Sequence, residues 1–344
     1  MKIKLVFLLV LFSFLSAVGA TLKPGDHELL LMQKIMDSVF ADSFDQAESL
    51  VFSYKDTILE QPIYHLLYAS VIHARMMDSE DYSREPDFTA NIDKAIAALD
   101  KWIESNPQDP WGYFLQGTAY GYKTIWQGQK ESWFKSMLTG LKAKGRFFDA
   151  LKLDSLFYDC YTGIGSYHYW SSVKLRSIFP FLSDNRGEGL KELKIASDSS
   201  VISGKAAYAA YGWALLNEKK FAEAQKVAEH LRDITGGGRG SLWLLAASHW
   251  NWGNLRKAIE DYGLLIESLT RAGNQNYYNL IFCRYRRGNA YLILKNYNAA
   301  KAEFNILLSY DAPQSVRARH KKTYEKTAEF LNKIVDIEKS QNIK

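Results

Sequence analysis

Residues 208–231 read YAAYGWALLNEKKFAEAQKVAEHL, and this stretch decides the fold. Tyr208, Tyr211 and Gly212 recur at three- to four-residue steps, as one face of a helix requires. The polar run Glu218-Lys-Lys then makes a turn before Phe221, after which Ala224, Ala228 and Leu231 resume the helical step. Gly212 and Ala224 stand where two antiparallel helices can cross closely, and the large residues beside them fill the remaining space. The stretch is therefore a helix–turn–helix unit.

The same frame recurs in both directions. Toward the C-terminus, Gly253-Asn-Leu255 with Ala258, Tyr262 and Leu265 repeats the turn and second helix; Gly288, Tyr291, Asn296-Tyr297, Ala300, Phe304 and Leu307 repeat the whole unit. Toward the N-terminus, Ala95, Leu99, Trp102 and Pro107 close one unit, and Tyr113, Gly117 and Tyr120 open the next, whose second helix carries Ala143, Phe147 and Ala150. A further unit opens with Tyr161, Ile164, Gly165 and His168 and closes with Gly189, Leu193 and Ala196, while Phe44 and Ala47 mark a weaker first repeat. This pattern resembles the tetratricopeptide repeat, a 34-residue helix pair with small residues at positions 8 and 20. The resemblance implies an all-α, right-handed α-solenoid of about seven helix pairs over roughly residues 28–312, within a repeat region of 21–312, followed by a capping segment at 313–344.

Three units exceed the repeat length, with insertions expected around Met77 to Asn91, Gln127 to Ser132 and Ser171 to Glu188. In the third, Gly163-Ile-Gly-Ser-Tyr-His-Tyr-Trp170 leads to Ile178-Phe-Pro-Phe-Leu182, Asp184, Arg186 and Gly189-Leu190. Those residues are faintly similar to a eukaryotic family of divergent tetratricopeptide proteins linked to inclusion-body clearance, a similarity of shape over about 35 residues. After Pro313 one long capping helix is expected, with Tyr324, Ala328, Leu331 and Val335 on its apolar side and Arg317, Arg319, Lys321, Lys322 and Lys326 elsewhere.

Lys2 and Lys4, the apolar run Leu5 to Leu15 and the small residues Ser16 to Ala20 have the layout of a signal peptide cleaved after Ala20 or Gly19. The expected location is the periplasm or the exterior, with no later stretch apolar enough to span a membrane. Without the leader's two lysines, 41 basic side chains face 38 acidic ones. Nucleic acid is not an expected partner of so balanced a chain. Cys160 and Cys283 occupy matching positions in helices several repeats apart, beyond the roughly 7 Å reach of a disulfide.

No motif points to catalysis, a metal or a cofactor. HExxH, CxxC and GxSxG are absent, and His65 and His73 lie too far apart to share an ion on one helix face. His168 and His249 stand where the repeat usually has Tyr, so they read as packed, hydrogen-bonded residues. Thr235-Gly-Gly-Gly-Arg-Gly240 lacks the Lys-Ser/Thr of a phosphate loop and reads as a flexible connection between repeats, with anion capture at the following helix start as the alternative. A rival reading is an all-helical carbohydrate-active toroid, although toroids have no need of small residues at fixed repeat positions.

The resemblance also implies a binding face, because the first helix of each pair lines the concave side of such arrays. The corresponding positions hold Trp111, Phe114 and Tyr122, then Tyr169 and Trp170, Trp213, Trp243 and Trp250, and finally Phe282, Tyr285 and Asn289. The family's carboxylate clamp is not carried over, since its lysine position holds Phe114, Thr162, Ala209, Trp243 and Tyr285. The groove thus reads as aromatic and nearly uncharged, suited to a peptide or protein segment or to a glycan, with Trp213, Trp243 and Trp250 at its centre.

Overall fold

A computed structural model describes residues 20–53, 61–178, 181, 183–273 and 276–341; the leader, save Ala20, lies outside them. Among the described residues there are sixteen helices and no strands. They pair as α1 (Asp26–Phe40) with α2 (Phe44–Ser53), α3 (Gln61–Ser79) with α4 (Glu85–Ser105), and α5 (Pro110–Gln129) with α6 (Trp133–Leu153). The series continues with α7 (Cys160–Ile178) and α8 (Arg186–Ser199), α9 (Gly204–Asn217) and α10 (Phe221–Ile234), α11 (Arg239–Trp252) and α12 (Leu255–Arg271), and α13 (Tyr277–Ile293) and α14 (Tyr297–Ser309). Seven pairs result, as the repeat frame predicts. Each helix packs on the next, and α1, α3, α5, α7, α9 and α11 also touch in series, which makes the first helices a continuous layer. None of the described helices is long and apolar enough to cross a membrane.

Small residues set the helix spacing. A Cβ on Gly117 would come within 2.9 Å of the Phe147 ring, and one on Gly288 within 2.6 Å of Phe304, so each glycine is the socket for an aromatic ring of the second helix. At the α7–α8 crossing the contact is backbone to backbone: a Cβ on Gly189 would lie 2.7 Å from the Tyr169 nitrogen and the Gly165 oxygen. Turns within pairs are equally regular. Asp42, Glu80, Glu131, Lys219, Gly253 and Lys295 all take positive φ, one in each of six pairs. Asparagine side chains then start α12, α13 and α14, where Asn254, Asn276 and Asn296 accept backbone N–H bonds.

The expected insertions at Met77–Asn91 and Gln127–Ser132 are not loops. The chain takes the same tight turn at Glu80 and Glu131, and the extra residues lengthen the helices: α3 to α7 run 19 to 21 residues, against 14 in α9, α10 and α11. In the third segment α7 also extends, to Ile178, and Phe179, Pro180 and Leu182 lie outside the described residues. The capping helix is interrupted, with α15 (Gln314–Arg319) and α16 (Lys321–Gln341) separated at His320. Arg319 lies 3.8 Å above the Tyr278 ring and His320 packs on the same ring at 4.4 Å. Consecutive helical residues point about 100° apart, so two of them reach one ring only where the helix breaks. The buried stripe of α16 is also rotated from the expected one, running through Thr327 and Ile334 while Ala328 is exposed.

The array curls until its beginning meets its end. Arg239, 4% exposed at the start of α11, donates from Nε and Nη2 to the two oxygens of Asp78 at 2.7 Å each. Its backbone N–H donates to the Asp42 carboxylate at 2.7 Å. Asn276 and Asn279 both donate to the Asp78 carbonyl at 2.8 Å, and ion pairs join Lys205 to Asp37 and Arg319 to Glu80. The first two repeats are thus docked on the starts of α9, α11 and α13 and the end of α15.

Candidate partner-binding surface

The aromatic positions divide by what covers them. Phe114 (5% exposed) and Tyr169 (fully buried) belong to the core, so neither is a surface a partner reaches. Phe114 packs 4.7 Å from Phe157. The Tyr169 hydroxyl lies 3.0 Å from the Ala214 carbonyl and the Glu218 carboxylate and accepts from Asn217, and burial pushes its pKa up to about 12. A first helix packs against two neighbouring repeats, so a residue on its inner side is covered wherever the next pair leans over it.

Four further positions are partly covered. Trp111 lies 4.7 Å from Phe157, Tyr122 packs edge-on to His73 at 5.3 Å, and Trp170 meets Tyr169 at 4.9 Å. Tyr285 stacks on Phe330 of α16 at 6.3 Å, under the cap. Trp213 on α9 is exposed, and Asn289 is half-buried on α13.

One group is brought together: Trp243 and Phe282 meet at 5.9 Å, and Trp250 and Phe282 each lie about 6.5 Å from the buried Tyr262 between them. Arg286 lies over this surface, with its guanidinium 4.7 Å from the Trp250 ring and 5.2 Å from Phe282. Its Nε is buried without a hydrogen-bond partner, and among the described residues no acid pairs with it. The neighbouring arginines differ, because Arg284 and Arg287 both bond Glu303 at 3.1 and 2.6 Å. Arg286 is thus a cation held by aromatic faces, an arrangement worth about 0.5–2 kcal/mol. The surface is aromatic as expected but not uncharged. The signal for Arg286 lay in the Arg284-Tyr-Arg-Arg287 run, in which one acid, Glu303, serves only two of three cations.

The histidine readings hold: His168 bonds Glu192 at 2.8 Å and His249 bonds Asp261 at 2.5 Å, all buried. Glu188 brings a third ligand atom near the first pair, the three lying within 4.8 Å of one another. The same histidine–acid pairing recurs at His249 without a third member, which makes it a feature of helix packing. Gly236 and Gly237 take positive φ, as a connection between repeats requires, and the helix start beyond them does hold an anion. That anion is the chain's own Asp42, bonded to the Arg239 N–H. Cys160 and Cys283 are free and buried, and burial raises both thiol pKa values.

Residues 283–313, which are most of α13, all of its partner α14 and the segment after it, match the tetratricopeptide repeat family model. No curated protein matches the chain. Among solved structures it is similar to PilW, a type IV pilus biogenesis factor, at 16% identity and a TM-score of 0.47, over 72% of this chain and 97% of that one. It is also similar to the C-terminal part of a TPR repeat-containing protein from Cytophaga hutchinsonii, at 14% identity and a TM-score of 0.46, over 83% and 97% of the two chains. A third is Cut9 in the APC/C Cut9–Hcn1 hetero-tetramer, at 12% identity and a TM-score of 0.48, over 89% of this chain and 54% of that one.

Proposed function

Because the chain is a tetratricopeptide-repeat protein, we propose that it is an exported scaffold that holds a segment of a partner protein against the α11–α13 surface. The carrying observation is Arg286, a guanidinium laid over Trp250 and Phe282 with no acid among the described residues paired to it. Aromatic faces supply contact area at little entropic cost, and the cation selects a carboxylate within the bound segment. The function is binding, with the periplasm or the exterior as its place; the leader pattern of residues 1–20 supports that location.

The test is to pan the immobilised mature chain against a random peptide library and, in parallel, a glycan array. Recovered peptides should share an acidic residue beside apolar ones, and R286A should weaken them at least tenfold. Selective glycan binding with no peptide enrichment would transfer the surface to the carbohydrate reading. Glycan turnover abolished by a single Asp or Glu substitution would overturn the scaffold reading altogether.

A further inference from the structure

We infer that hydrolysis between Ala20 and Thr21 completes the fold, because the freed Thr21 α-ammonium supplies the missing counter-charge of the buried Asp109 carboxylate. This rests on the export reading above and assigns its cleavage site a structural role.

Asp109 is 4% exposed at the N-cap of α5. Its oxygens accept from the Thr21 hydroxyl at 2.6 Å, the Leu22 N–H at 2.9 Å, the Trp102 indole at 2.8 Å and the Trp111 N–H at 3.3 Å. All four donors are neutral, and among the described residues no lysine, arginine or histidine forms an ion pair with Asp109. The start of α5 offers about half a positive charge, which leaves part of the carboxylate charge unanswered. Asp159, equally buried just before α7, shows a version of this arrangement in which one neighbouring segment supplies all the donors. Among the described residues no cation pairs with it either, but it collects three backbone N–H groups, from Val201, Ile202 and Ser203. From residues 21–22 Asp109 gains only one backbone N–H and one hydroxyl.

The Thr21 nitrogen can supply what is lacking. Covalent geometry keeps it within about 5 Å of the carboxylate, since its own hydroxyl and the next N–H are both bonded there. The chain just after it is anchored: Leu22 is 3% exposed within the main core cluster and Pro24 is buried, while Ala20 and Thr21 are both exposed. Cleavage after Gly19 would move the ammonium one residue outward, away from Asp109. In the cleavage itself a signal peptidase adds one water across the Ala20–Thr21 bond. The carboxylate stays on the leader, and the amine, protonated at neutral pH given an ordinary pKa near 8, stays on the mature chain. A charge-assisted bond then joins the four neutral ones, at roughly twice the strength of each.

The experiment has two arms. In the first, the full chain is expressed in a bacterium with an intact export pathway, and its N-terminal peptide is identified by mass spectrometry; Thr21 is expected. In the second, a chain beginning at Thr21 is compared with its N-acetylated form and with one beginning at Gly19. The free amine should raise Tm at pH 7 by about 3 °C or more. The folded-state amine pKa is raised, so that advantage is present below the ordinary amine pKa and lost as pH climbs through the raised one. It should also vanish when the comparison is repeated in D109N. A leader still attached to exported protein would defeat the export reading and this inference together. Cleavage at Thr21 with identical Tm for all three chains would leave export standing and overturn the ammonium's role, and an exported chain beginning at any other residue would overturn the assigned site.

Discussion

Replacing Arg239 by Ala removes the cation around which the two ends of the array are joined. The guanidinium is 4% exposed and makes two bonds of 2.7 Å to Asp78, and Asp42 lies 3.7 Å away. Its loss leaves the largely covered Asp78 carboxylate without its partner and Asp42 with only the backbone N–H of residue 239, a change of the kind that costs about 3–5 kcal/mol when one member of a buried pair is deleted. In a solenoid each repeat is held chiefly by its neighbours, so the loss should fall on the junction and not on the helices. Circular dichroism should therefore stay nearly constant while small-angle scattering reports a larger radius of gyration. Amides at the start of α11 and the end of α3 should exchange on the order of 100-fold faster or more, since about 1.4 kcal/mol is a factor of ten. Asp78→Asn keeps hydrogen-bond acceptance and should show a milder form of the same change. An R239A chain with unchanged radius, unchanged exchange at both segments and an unchanged denaturation midpoint would refute the reasoning.

W250A should weaken a selected peptide by about 2 kcal/mol in calorimetry with helicity intact, as should R286A, whereas substitution of the buried Tyr169 should lower stability first. Burial raises the Asp42 pKa to about 6 and lowers that of His73 to about 4. The raised Asp42 makes stability fall as pH rises from about 4 to 6, and the depressed His73 makes stability fall as pH drops from about 6.5 to 4. The two slopes oppose each other, so urea midpoints of the wild type should vary little across that window, while D42N should lose stability on acidification; an equally flat D42N profile would contradict this. Gly189→Ala, which would set a Cβ 2.7 Å from backbone atoms, should cost about 1–3 kcal/mol or more. Gly121→Ala meets nothing within 4 Å and should stabilise α5 by about 0.5–1 kcal/mol, both read from thermal melts.

The repeat frame was legible because close helix crossings leave fixed marks: Gly117, Gly212 and Gly288 each face a large side chain that only a missing Cβ admits. The length of each helix was not. Residues such as Met77 and Gln127 are compatible with a helix or a loop, and the deciding feature, a single residue at positive φ, fell on Glu80 and Glu131, which carry no turn signature. Among the groove positions, aromatic character was legible but exposure was not. Phe114 and Trp213 satisfy the same positional rule, yet the first is sealed by Phe157 and the second is exposed, and only the lean of the neighbouring repeat separates them. Closure of the array could not be read at all, since Asp78 and Arg239 belong to no common pattern and lie 161 residues apart.

That separation bears on the order in which the protein assembles. Contacts within and between successive repeats span a few tens of residues and can form as soon as each pair is available, but the Asp78–Arg239 and Glu80–Arg319 pairs join positions 161 and 239 residues apart. Rates fall as contacts become less local. A chain emerging from its N-terminus therefore completes α1 to α4 long before the surfaces that will receive them exist. During that interval the turns at Asp42 and Glu80 stand in water with their carboxylates ionised, and desolvating them belongs to the last step, when α11 and α15 arrive. Joining the ends should then be a slow, separately resolvable phase, faster in any variant whose carboxylates are already neutral.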